Sequence, residues 1–146
     1  MNAVDFLQLA SELETATDEA RLRTAVSRAY YASLHQATDL VIQFGVQLPR
    51  GTNKHAKIPI LLQNAGDPTA AIAGQLLDNL RGDRNHADYD VEEARFGTAA
   101  FARQRVATAK KVFAILADCD QEPLRSTVRT GIRDHAERIE RMHLKP

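Results

Sequence analysis

Cysteine is almost absent from this chain of 146 residues. Cys119 stands alone, which excludes an intrachain disulfide framework and any cysteine-built zinc cluster. A lone thiol is most simply a small core hydrophobe, and it fits a reducing compartment, so a cytoplasmic protein is expected. Net charge is absent too: Lys+Arg and Asp+Glu each number 19. That balance argues against a general nucleic-acid coat or an acidic tail protein, and any polyanion site must be a local patch. No window approaches the ~18 apolar residues of a membrane-spanning helix, so no membrane partner is expected. The start, Met1-Asn2-Ala3-Val4-Asp5, lacks a basic stretch followed by an apolar run, and no secretory signal is expected. The histidines show no His-x-x-x-His spacing, so neither a metal nor another cofactor is expected. Strand-like alternation and internal repeats are missing as well.

What remains is helical. Hydrophobic residues make up 44% of the chain, enough for a sizeable core, and the seven Gly and five Pro fall mostly between periodic segments. Val4, Leu7, Leu9 and Leu13 predict a short opening helix. Thr17 or Asp18 can cap a second that runs to about Phe44, where Gly45 suits a left-handed terminus. Residues 46–53 read as an exposed loop. Asn53 can cap a third helix, with Pro59 kinking it or delaying its start. Asp67-Pro68 opens a fourth that leads into Arg81. Asp90, with Glu93 in capping-box register, predicts the start of a fifth, and a polar sixth follows from about Leu124 to Met142. The expected fold is all-α: an antiparallel four- to five-helix bundle over residues 1–120, with an extra helix in 121–146.

The tail carries six basic side chains against four acidic. Arg125, Arg129 and Arg133 share one helix face, either as a solvated stripe or as an RNA-backbone contact. Leu124, Val128, Ile132, Ile139 and Met142 recur at helical spacing, so this helix is expected to pack on the bundle or on a second subunit.

Two stretches have compositions that packing alone does not explain. In Ser27-Arg28-Ala29-Tyr30-Tyr31-Ala32-Ser33-Leu34-His35, the paired tyrosines point about 100° apart, so one can enter the core while the other faces a neighbour or a cleft. In Leu80–Asp90, seven of eleven side chains can ionise. On a helix, Arg81, Arg84, Asn85 and Asp88 share a face. A structural account has Arg81 and Arg84 pairing with Asp88 and Asp78, and Asp90 capping the next helix. A functional account has the arginines holding a phosphate while His86 exchanges a proton. His35 and His55 read as structural or exposed, and His135 and His143 as surface residues of the tail.

Three motifs, taken together, resemble the HEPN superfamily of compact helical domains found in prokaryotic toxin–antitoxin and defence systems. They are Arg28-Ala29-Tyr30-Tyr31-Ala32, Lys54-His55, and Arg84-Asn85-His86-Ala87-Asp88-Tyr89-Asp90. The resemblance covers about residues 1–118. It implies a homodimer whose shared groove cuts RNA without metal, the ribose 2′-OH attacking the adjacent phosphate. Arg81, Arg84, Asn85 and His86 would be catalytic, with Tyr31, Asp88 and Tyr89 in support. The motif fits in two registers. Arg81 lies five residues before His86 but is followed by Gly82, whereas Arg84-Asn85 has the usual polar follower but meets Tyr89 at the fifth place. The second form, Arg-x-x-Ala-Asp-Tyr, resembles a branch that often lacks the catalytic histidine and binds nucleotides or partner proteins. The resemblance also implies a nucleotidyltransferase-type antitoxin, with Tyr89 as the residue it would modify.

Overall fold

The computed structural model describes residues 1–146 throughout. The protein is all-α, with six helices: α1 (Ala3–Leu13), α2 (Glu19–Gln43), α3 (Lys54–Gln63), α4 (Pro68–Tyr89), α5 (Ala99–Cys119) and α6 (Leu124–Arg138). A 3-10 turn spans Ala94–Gly97, and two-residue strands β1 (Val46–Gln47) and β2 (His143–Leu144) pair antiparallel. No helix is long and apolar enough to cross a membrane. The chain forms two compact units, Met1–His35 with Leu76–Phe113 and Gln36–Gln75 with Ala114–Pro146.

Local chemistry accounts for most helix starts. Asn2 and Asp5 exchange side-chain-to-backbone hydrogen bonds and close a capping box on α1. Asp18 accepts from the Arg21 N–H and side chain at the start of α2, and Arg21 holds its carboxyl below the usual range. Asp67 accepts from the Ala70 N–H ahead of Pro68, as its position predicts. In the first unit the core is small-residue rich: Ala25, Val26, Ala29 and Tyr30 of α2 are fully buried, as are Leu77 and Leu80 of α4 and Ala102 and Val106 of α5. On α1 the inward residues are Ala3 and Ala10, while Val4 and Leu9 are exposed, which reverses part of the apolar pattern expected there.

The start of α5 differs from the expectation at Asp90. Helix α4 runs on through Gly82 to Tyr89, and the Asp90 N–H donates to the His86 carbonyl to close it. The Asp90 side chain turns back to His86 instead of capping forward. Helix α5 begins at Ala99, where Thr98 Oγ1 accepts from the Phe101 N–H. Gly97 in the intervening turn leaves room for the Glu19 side chain, which a Cβ there would meet at 2.4 Å.

In the second unit Gly45 follows α2 with φ +92, as its place after the helix suggests. Residues 46–53 are not simply an exposed loop, since Val46 is buried and its strand pairs with β2. Asn53 stands at the start of α3 without a side-chain capping bond, and Pro59 lies inside that helix. Helix α6 ends at Arg138, short of Met142, and packs Val128, Ile132 and Ala136 inward, close to α3. Its Gly131 meets the backbone of Ala65. The tail therefore shares a unit with residues 36–75, a division that runs differently from 1–120 plus 121–146. Its arginine row is partly consumed internally: Arg125 pairs with Asp120, and Arg133 donates to the Phe44 and Lys145 carbonyls. His135 is half-buried beside Glu140 rather than on the open surface. Cys119 is fully buried, as expected for a core residue, and burial pushes its thiol up to about 11.

Candidate functional site

The chemistry-bearing residues lie in the first unit, where α2 and the last turns of α4 supply most of them. Because α4 continues to Tyr89, the stretch from Arg81 onward obeys helical geometry. Residues 84 and 88 then share a face, while 84 and 86 point about 160° apart. The structure accordingly divides the expected site between two cavities.

The first cavity, about 320 Å³, is lined by Phe6, Ser27, Arg28, Tyr31, His35, Arg84 and Asp88. Arg84 is tied down on three sides. Its Nε pairs with Asp88 Oδ2 at 2.9 Å, Nη1 donates to Asn85 Oδ1 at 2.8 Å, and Nη2 donates to Tyr31 Oη at 2.8 Å. Tyr31 has a guanidinium near its ring on two accounts, Arg28 and Arg84, each with Cζ 5.2 Å from the centroid. Arg28 also lies 5.5 Å from the Phe6 centroid, and the Phe6 and His35 rings approach to 4.9 Å. Tyr30, the other tyrosine of the pair, is fully buried, and burial pushes its phenol up to about 12. It stays protonated at ordinary pH and belongs to the core. The expected division of labour between the two tyrosines is therefore what the fold contains.

The second cavity, about 400 Å³, is lined by His86, Tyr89, Asp90, Val91, Glu92, Glu93, Arg95 and Phe96. His86 Nδ1 meets Asp90 Oδ2 at 2.5 Å, and the imidazole stacks on Phe96 with centroids 4.5 Å apart and planes 4° from parallel. The ring is half-exposed, so a carboxylate-oriented imidazole faces solvent, the arrangement a general acid–base needs. Its surroundings are acidic, however: Asp90, Glu92 and Glu93 outnumber Arg95, which itself pairs with Glu93 at 3.7 Å.

Tyr31, Arg84 and Asp88 of the expected site residues thus meet in one place, with Asn85 holding Arg84 from outside the cavity. His86 and Tyr89 border the other cavity, and Arg81 lines neither. Of the structural pairings anticipated for the arginines, Arg84 with Asp88 is present.

Two residues escaped the sequence reading of the site. Arg28 was visible as part of a motif, but nothing in its neighbours signalled that it borders a cavity. Arg23 gave no signal. It is 8% exposed, pairs with Glu19 at 2.8 Å, and its Nη atoms reach the carbonyls of Ala87, Asp90, Val91 and Glu93 at 2.8–3.3 Å and that of His86 at 3.5 Å. One buried guanidinium thereby holds the turn that carries Asp90 against His86. No cluster of three or more His, Cys, Asp or Glu side chains is placed to hold a metal ion. Compared with protein-family models, curated proteins and solved structures, the chain matches none.

Proposed function

We propose that this chain is a HEPN-type helical domain that binds a ribonucleotide phosphate, free or within RNA, in the cavity bordered by Tyr31, Arg84 and Asp88. The observation that carries this reading is the separation of the two cavities. Guanidinium and ring chemistry suited to a phosphorylated, planar ligand gathers around Tyr31, while His86 lies among carboxylates that repel a polyanion. Binding without cleavage is therefore favoured for the single chain.

A second reading, metal-independent cleavage of RNA, is supported by the His86–Asp90 pair. In the single chain the arginine beside His86 is Arg95, which lines the same cavity, and a second copy of the chain would be needed to bring Arg84, which borders the other one. In a cytoplasmic toxin–antitoxin setting Tyr89, 70% exposed, is accessible to a nucleotidyltransferase.

Isothermal titration with AMP and a short single-stranded RNA, alongside an RNA cleavage assay in EDTA, separates the readings. Binding without cleavage is the expected result. Cleavage lost in His86→Ala and leaving a 2′,3′-cyclic phosphate would establish the second reading. No binding of either probe would remove the first.

A further inference from the structure

Arg84 is the arginine that the motif advertises, yet its charge is paired and both of its Nη atoms are hydrogen-bonded within the protein. Asp88 balances its charge at 2.9 Å, and Asn85 and Tyr31 each accept a short hydrogen bond from one Nη, although the buried Arg84 Nε makes no directed hydrogen bond. Arg28, on the same cavity, is the opposite case. It is half-buried and has no carboxylate partner. Its one hydrogen bond is a long one, Nη2 to Ser27 Oγ at 3.4 Å, and its buried Nε has no acceptor at all. A guanidinium carries five N–H donors, and buried donors without acceptors are rare and costly in folded proteins. No carboxylate pairs with it directly; Asp88, across the same cavity, is paired with Arg84 and reaches Arg28 only through Ser27. The cation is held in place by rings instead, with Phe6 on one side and Tyr31 on another.

We infer that Arg28 is the oxyanion-binding residue of this cavity, and that the ligand it accepts is one nucleotide unit, its phosphate on Arg28 and its base against the Phe6 and His35 rings. This rests on the phosphate-binding reading above and names the residue and the size of ligand. Planar guanidinium matches phosphate oxygens two at a time. Aromatic side chains stack bases of any sequence. The cavity volume of about 320 Å³ lies at the small end of the roughly 300–1,000 Å³ range of ligand sites, room for a single unit rather than a dinucleotide. A free nucleoside monophosphate and an unstacked residue within an RNA strand present the same chemistry.

The test is isothermal titration of the full chain with AMP, adenosine, inorganic phosphate and a short oligoadenylate RNA. AMP is expected to bind more tightly than adenosine or phosphate alone. Arg28→Gln should weaken AMP by about tenfold to a hundredfold, the usual value of a charge-assisted contact. Arg28→Lys should fall between, because it keeps the charge and loses the fork. Phe6→Leu, which keeps an apolar side chain on α1, should weaken AMP more than inorganic phosphate, because the base loses a ring while Arg28 keeps its contact with Tyr31. AMP should also shift the His35 ring protons in NMR spectra of the unmodified protein, a readout that does not depend on any variant folding. Oligoadenylate binding without AMP binding would assign the site to RNA, and the reverse to a free nucleotide. If wild type binds neither, the parent reading fails. If wild type binds but Arg28→Gln and Phe6→Leu bind equally well, or His35 is unmoved, the assignment to Arg28 fails while the parent reading stands.

Discussion

Two arginines on α2, five residues apart, serve two regions of the first unit in opposite ways. Around Arg23 every donor direction is used: one carboxylate and a ring of backbone carbonyls from α4 and the turn after it surround a nearly inaccessible guanidinium. Around Arg28 there are rings and space, one long hydrogen bond, and no carboxylate of its own, Asp88 being paired with Arg84. Burial alone does not distinguish a structural arginine from one built for a ligand. The distinction lies in how many N–H groups have acceptors. Arg23 spends its donors on the protein's own backbone and so makes a rigid turn. Arg28 retains donors beside a cavity, where an external oxyanion is the missing acceptor.

The largest expected effect comes from removing the saturated member. Arg23→Gln leaves several buried or part-buried carbonyls without their donor, each such group typically costing about 1–3 kcal/mol, while the half-exposed Glu19 carboxylate regains water. Arg28→Gln forfeits cation–π contacts with two rings, together about 1 kcal/mol, and relieves an unsatisfied donor. Urea denaturation of the two variants measures the gap. Equal midpoints would mean that the carbonyl ring around Arg23 contributes little and that the contrast between the regions is false.

Next in size is the contrast between the paired tyrosines. Burial raises the Tyr30 phenol from about 10 to about 12, so the folded state holds that proton more tightly than the unfolded chain. The stabilisation is fully present below pH 10 and is lost as pH rises from about 10 toward 12, by roughly 2 kcal/mol over that window. Cys119 adds a similar decline beginning near pH 9, so the Tyr30 share is isolated by difference. Thermal melts of Tyr30→Phe should lose stability less steeply between pH 10 and 12 than wild type does, whereas Tyr31→Phe removes the oxygen that accepts from Arg84 Nη2. Identical slopes for wild type and Tyr30→Phe would show that the phenol is not held in the core.

Helices were legible wherever a cap and a period agreed, as at Asp18, at Asp67-Pro68 and at Gly45. Legibility failed where a side chain had two possible partners. Asp90 has the spacing of a capping box with Glu93, yet five carbonyls converging on Arg23 shape that turn, and they lie more than sixty residues from it in sequence. No local pattern carries that information. The sequence leads the fourth helix only as far as Arg81, yet Gly82 is exposed and nothing in space opposes helix there. In the site, periodicity was enough to put Arg84 and Asp88 on one face, and the paired tyrosines were enough to send one inward. Whether an arginine is satisfied depends on acceptors brought from other elements, so neither the saturation of Arg23 nor the deficit at Arg28 can be read from the chain alone.

The smallest effect tests whether the two cavities are independent. The His86–Asp90 pair is half-exposed on both sides, and pairs of this kind are worth about 0.2–1 kcal/mol. Asp90→Asn should therefore change stability by less than about 1 kcal/mol, since Arg23 binds the backbone carbonyl of that residue and the substitution leaves the carbonyl in place. It should leave AMP affinity at the Arg28 cavity unchanged within about twofold, because no residue lines both cavities. If RNA cleavage is observed in the wild type, the same substitution should lower its rate, because the imidazole loses the carboxylate that orients it. Calorimetry of AMP binding and a cleavage time course on one preparation decide the matter. A fall in AMP affinity would couple the acidic turn to the ring-lined cavity, and the difference between the two regions would then be one of degree within a single site.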